Sequence, residues 1–150
     1  MRSFPGPRVR ARRGPALLLA LLLGILGRPA FAGATTTAEQ AVHVMINQAR
    51  ADAGVRLLSL SERLSRIAHQ HSYEMAGQGT LFHSCLPCEI GDFRRLAENV
   101  GYGSDRVTVQ QEFLASRPHR ENLLHPKFRR VGVGVVRRGG LVWVTQIFYA

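Results

Sequence analysis

The sequence predicts a single α+β domain behind an export segment. Three observations point there. Apolar residues recur at helical spacing in the first half of the chain. Residues 131–149 read as two strands joined across Arg138, Gly139 and Gly140. Setting aside the first 32 of 150 residues leaves about 118, enough for one core and not for a second.

In chain order, Arg2, Arg8, Arg10, Arg12 and Arg13 lead into an apolar run from Ala16 to Leu26, and Ala30-Phe31-Ala32 supplies a small-x-small cleavage pattern. The run is about half the length that spans a bilayer. No later segment is long and apolar enough to span, so the expected product is secreted and extracellular, with no transmembrane segment after signal removal. Arg12-Arg13 suits a twin-arginine route, but Gly14 and Pro15 stand where an apolar residue is expected, so the general secretory route is preferred. Residues 33–37 read as a short linker and 38–150 as the domain. Six of the twenty basic residues lie in the export segment and none of the ten acidic ones do. The remainder therefore carries 14 basic against 10 acidic residues, a net charge of +4 rather than +10.

Thr37 is placed to cap a first helix from Ala38 to Ala53, with Val42, Met45, Ile46 and Ala49 on its apolar face and Gly54 ending it. Ser59 and Glu62 suit a capping box for a second helix to about Ala76, striped by Leu64, Ile67, Ala68, His71 and Met75. His71 falls on the buried face and reads as a core histidine with an internal partner. His69 lies about 200° around the helix, so the two cannot share a metal. Gly77 to Gly79 open a loop that carries His83, Cys85 and Cys88. A turn at Asp92 to Leu96 precedes a strand through Glu98 to Tyr102. A third helix, Val107 to Ala115, presents Val107, Phe113 and Leu114. His119 to Leu124 form a helical turn closed by Pro126. The strands Val131–Val136 and Leu141–Tyr149 end the chain, and Gly132 and Gly134 leave one face of the first bare for close approach of another backbone.

The residues with chemistry to offer are His83, Glu98 and His119, from three separate segments. Two neutral imidazoles beside a carboxylate can hold a divalent metal and its water, or hydrogen-bond a polar ligand. A catalytic zinc site wants three protein ligands, so this set predicts a labile, weakly bound metal such as zinc unless Glu98 or a cysteine joins. A purely structural reading has His119 capping its short helix and Glu98 tying loops together. Cys85-x-x-Cys88 leaves two readings open: a local disulfide, preferred in an exported chain, or metal ligation together with His83. Asp92 with Glu98 as a glycosidase pair has nothing to fix its separation. Arg94, Arg95, Arg117 and Arg120 bracket the site, either as anion-binding forks or as solvated surface arginines. Nucleic acid is disfavoured by the modest charge and the lack of aromatics among the basic residues.

The order of several motifs resembles the bacterial branch of the CAP superfamily (cysteine-rich secretory, antigen-type and pathogenesis-related proteins, with an SCP-like domain). They are Ile46-Asn47-Gln48-Ala49-Arg50, Leu64 to Met75, Phe82-His83, Glu98-Asn99-Val100, Ser116-x-x-His119-Arg120-x-Asn122-Leu123, Val131-Gly132-Val133-Gly134 and Trp143-x-Thr145-Gln146-x-Phe148. The resemblance implies an α-β-α sandwich with a small antiparallel sheet and a cleft lined by two histidines and two acids. The histidines fall at His83 and His119 and the first acid at Glu98, while Ser116 stands where animal and plant members have the second acid. It also implies a ligand in that cleft: a lipid-like molecule, an anionic envelope component or polymer, or a divalent metal. The alternative is a metal-dependent hydrolase, a peptidase for instance, with Glu98 as general base; whether the chain is an enzyme stays open. The export reading has a direct test: intact-mass measurement of secreted material should find Gly33 as its first residue, and retention of the arginine-rich segment would overturn it.

Overall fold

The computed structural model describes residues 35–91 and 95–150; the expected export segment, the first two linker residues, Asp92 and Arg94 lie outside the described residues. The elements are α1 (Thr37–Asp52), β1 (Ser59–Leu60), α2 (Glu62–Gln78), α3 (Leu86–Ile90), β2 (Leu96–Gly103), α4 (Arg106–Ala115), α5 (Arg117–Leu124), β3 (Arg130–Arg138) and β4 (Leu141–Tyr149). The strands form one sheet in the order β1-β3-β4-β2, with β1 parallel to β3 and the other pairs antiparallel. Gly139 and Gly140, at φ 60° and 78°, make the tight β3–β4 turn, whose two central residues both need positive φ.

Side-chain alternation divides the sheet into two faces. Val131, Val133, Val142, Val144 and Phe148 pack with Val42 and Ile46 of α1, Val109 and Phe113 of α4 and Leu123 of α5. On the other face Ile147 meets Leu64 and Ala68 of α2, and Trp143 and Val100 meet Met75 and Ala76. The result is the expected three-layer sandwich. The bare face of β3 lets the backbone of α2 come close: a Cβ at Gly132 would stand 2.3 Å from Leu64 Cβ, and one at Gly134 2.2 Å from the Ala68 carbonyl carbon. Two buried serines bind α2 to the sheet at this seam. Ser65 Oγ accepts from Val133 N at 3.1 Å, and Ser72 Oγ lies 2.8 Å from Thr145 Oγ1.

α1 is fixed at both ends. Thr36, not Thr37, caps it. Thr36 Oγ1 accepts from Glu39 N and Glu39 Oε2 accepts from Thr36 N at 2.7 Å, a reciprocal capping box. Glu39 Oε1 also reaches His69 of α2 at 2.7 Å. At the other end Arg50 is fully buried and donates to Arg56 O at 2.7 Å, Leu123 O at 2.6 Å and His125 O at 3.3 Å. Asn47 holds the same crossing loop through Leu58 N and O.

Several expectations shift. Ser61 caps α2 in place of Ser59, because Ser59 and Leu60 are drawn into parallel pairing with Arg130 and Val131. The loop after α2 contains a one-turn helix, α3, anchored by buried Leu86 and Ile90. α4 is capped by Asp105 and rotated from its expected phase: Val109, Gln110 and Phe113 are buried, while Val107 is 46% exposed. His71 is an internal histidine as expected, its Nε2 donating to Phe82 O at 2.7 Å.

The seam between α2 and β3 gives opposite expectations for one substitution at two glycines. Gly134→Ala should lower unfolding free energy by about 3 kcal/mol or more, because backbone atoms of α2 have nowhere to move. Gly77→Ala, on the exposed face of α2 where the new methyl meets only the tip of Arg138, should raise it by about 0.5–1 kcal/mol. Urea titration of both variants measures the contrast, and equal effects would contradict this packing.

Candidate functional site

The site is built across an edge. β2 is the outer strand beside β4, and its alternation sends Glu98 to the side of α2 and α3 while Gly101 faces α4. The segment after α2 brings His83 and Ser84 to Glu98, and α5 brings His119 from the other side.

Glu98 is 8% exposed, yet its carboxylate is fully engaged. Oε2 accepts from His83 Nδ1 at 2.7 Å and Ser84 N at 3.1 Å, and Oε1 accepts from Ser84 Oγ at 2.7 Å. With a carboxylate on Nδ1, the neutral His83 ring carries its proton there and offers Nε2 as an acceptor. The His83 side chain is 63% exposed, so that nitrogen is within reach of a ligand.

His119 is half-buried against Phe113, with ring centroids 5.0 Å apart. Burial, and then the charge of a protonated His83, push its pKa below the ordinary 6.5. The second influence places the two imidazoles in each other's field. A chain of amides sets the position of α5. Asn99 Nδ2 donates to His119 O at 3.1 Å and to Gln146 Oε1 at 3.2 Å. Asn122 Nδ2 donates to Asn99 Oδ1 at 3.0 Å, and Gln146 Nε2 donates to Gln110 Oε1 at 2.7 Å.

Two cavities open here. One of about 400 Å³ is lined by His83, Ser84, Leu86, Pro87, Leu96 and Glu98. The other, about 290 Å³, holds His119 and Ser116 with Glu112 over an apolar floor of Val100, Val109 and Phe113. The four expected residues therefore occupy two compartments, with His83 and Glu98 in direct contact and Ser116 beside His119. Sequence reasoning missed Ser84 and Glu112. Glu112 precedes Ser116 by one helical turn, so spacing alone could have found it as an acid on the same face.

Cys85 and Cys88 are joined as a disulfide, the preferred reading. With both sulfurs in that bond, ligation through His83, Cys85 and Cys88 is closed in this form. Among the described residues no three His, Cys, Asp or Glu side chains are grouped to hold a metal ion. The donors fit at most a two-imidazole site, with Glu98 acting from behind His83. Arg117 is bound to Glu121 at 2.8 Å and Arg120 to Leu114 O at 3.0 Å, the surface reading rather than forks aimed at the site. No described helix is long and apolar enough to cross a membrane.

Comparison with known proteins agrees with this geometry. An uncharacterized Bacillus subtilis protein, YkwD, is 27% identical over 118 residues, covering 72% of this chain and 46% of its own. The crystal structure of an extracellular protein containing a SCP domain from Bacillus anthracis superposes with a TM-score of 0.67 at 27% identity, covering 75% of this chain and 40% of that one. This chain thus spans less than half the length of either relative. An outer surface protein from Borrelia burgdorferi has the same fold, with a TM-score of 0.68 at 17% identity, and is covered over 95% of its length by 78% of this chain. The family model described as CAP, Cysteine-rich secretory protein family, matches residues 44–148, so most of the chain, the cleft included, belongs to that family.

Proposed function

We propose that this protein is an exported binding module whose cleft at His83, Glu98, Ser116 and His119 takes a polar ligand. One class is a divalent metal such as zinc, held weakly by the two imidazoles; the other is a lipid-like or anionic component of the cell envelope. The observation that carries the reading is the engagement of Glu98. Its oxygens accept three protein hydrogen bonds, which orient His83 and present Nε2 outward. A general base for hydrolysis needs an oxygen turned toward a water, and these face Ser84 and His83. Export is supported by the arginine-rich and apolar start of the sequence and by the extracellular and outer-surface descriptions of the relatives.

The depressed pKa of His119 sets the pH dependence. Protons compete with metal for its lone pair, so a lowered pKa keeps that lone pair available to lower pH than an ordinary imidazole would. Calorimetric zinc titration should show weak binding that a chelator reverses without unfolding the protein, and affinity should fall on acidification, with the His119 contribution lasting to lower pH than an ordinary imidazole's. The His83→Ala, His119→Ala double variant should lose binding with its fold intact. Glu98→Gln should weaken binding about 10- to 100-fold by releasing the His83 ring. Equal affinity in the wild type and the double variant would remove the metal reading. Metal-dependent hydrolysis abolished in Glu98→Gln would establish the hydrolase instead.

A further inference from the structure

The cysteine pair has no part in that reading, yet it sits against the site. Cys85 and Cys88 are both exposed, and the two residues between them, Leu86 and Pro87, line the same cavity as His83, Ser84 and Glu98. An exposed disulfide is open to attack by an external thiolate. Opening this one disturbs no core, because α3 is held by buried Leu86 and Ile90, and its turn by Cys88 N and Glu89 N donating to Cys85 O at 2.9 and 3.2 Å.

We infer that Cys85 and Cys88 form a thiol–disulfide exchange site whose reduced form holds a soft divalent cation such as zinc, with His83 as third ligand. The exchange is a two-electron reduction by an external dithiol. One reagent thiolate attacks a ring sulfur, the Cys85–Cys88 bond breaks and a mixed disulfide forms, freeing one cysteine. The second reagent thiol then displaces the other cysteine and closes the oxidised reagent on itself. Two cysteine thiols result, and their protons leave when the metal binds.

The spacing of the pair suits such a site once the disulfide is opened. Cys-x-x-Cys within one turn is the spacing of zinc-binding cysteine pairs, and the Cα atoms stand 5.3 Å apart. Two sulfurs bound to a tetrahedral zinc at about 2.3 Å lie roughly 3.8 Å from each other, which side-chain rotation supplies. His83 already has a carboxylate on Nδ1, leaving Nε2 for the metal in the carboxylate–histidine–metal order. Three protein ligands leave a fourth position open.

The site is separable from the weak two-histidine site because it needs both cysteines and does not need His119. The test is titration of the purified protein with cobalt(II), then zinc in competition with a chelator, in the oxidised form and after dithiol treatment and removal of the reagent without air. Thiolate-to-cobalt charge-transfer absorption should appear only in the reduced form, and zinc should bind that form at least about 100-fold more tightly. Reoxidation should reverse both effects, a control that needs no mutation. In the reduced form Cys88→Ser should fall to the oxidised affinity, and His83→Ala should lose about tenfold. The same affinity in both redox states, or reduced Cys88→Ser binding like reduced wild type, would overturn the proposal whatever happens at the two-histidine site.

Discussion

The site depends on a line of four amides, three of them buried. Asn122, Asn99, Gln146 and Gln110 come from α5, β2, β4 and α4, and each of the first three donates to the next. Leaving one buried amide unsatisfied costs about 1–3 kcal/mol, and an amide both donates and accepts, so each member can pass the line on to the next. The line therefore tolerates neither a carboxylate nor an apolar replacement easily. It also sets the distance between α5 and β2. Asn99 is the next residue after Glu98 and holds the carbonyl of His119, so one side chain fixes the carboxylate side and the imidazole side of the cleft together.

How much of this was legible depended on distance along the chain. The glycine pair on β3 and the alternating valines were readable because each encodes a face, and a bare face next to a helical stripe has one natural use. The α2 cap was misplaced by two residues because Ser59 had a competing partner 71 positions away, Arg130, which no local pattern reveals. α3 has five residues, too few to show a helical period. His83, Glu98 and His119 were recognisable from motif order. Ser84 and the amide line were not, because they are defined by contacts between residues 14 to 47 positions apart. Glu112 was overlooked because an acid on an exposed helical face looks the same in sequence whether or not it borders a cavity.

Placing a polar site across an edge strand resolves a conflict between burial and access. A sheet edge offers unpaired backbone groups that attract other strands. Here the outer side of β2 is occupied by the loop carrying His83 and by α5, and Asn122 reaches the Glu98 carbonyl at 3.4 Å. The same covering that blocks strand addition leaves openings on both sides of β2, so ligands can exchange without separating any strand pair.

Arg50 has a consequence for the order in which the molecule can form. Its guanidinium is bonded only to carbonyls, and two of the three belong to residues 73 and 75 positions further on. β1 waits for Arg130 and Val131 in the same way. Chains are made from the N-terminus, so although α1 meets Leu58 and His69 early, the Arg50 end of the helix keeps two of its partners unmet until most of the sequence has emerged. A first helix whose closing bonds come from the last third of the chain makes the two ends of the domain form together rather than in turn.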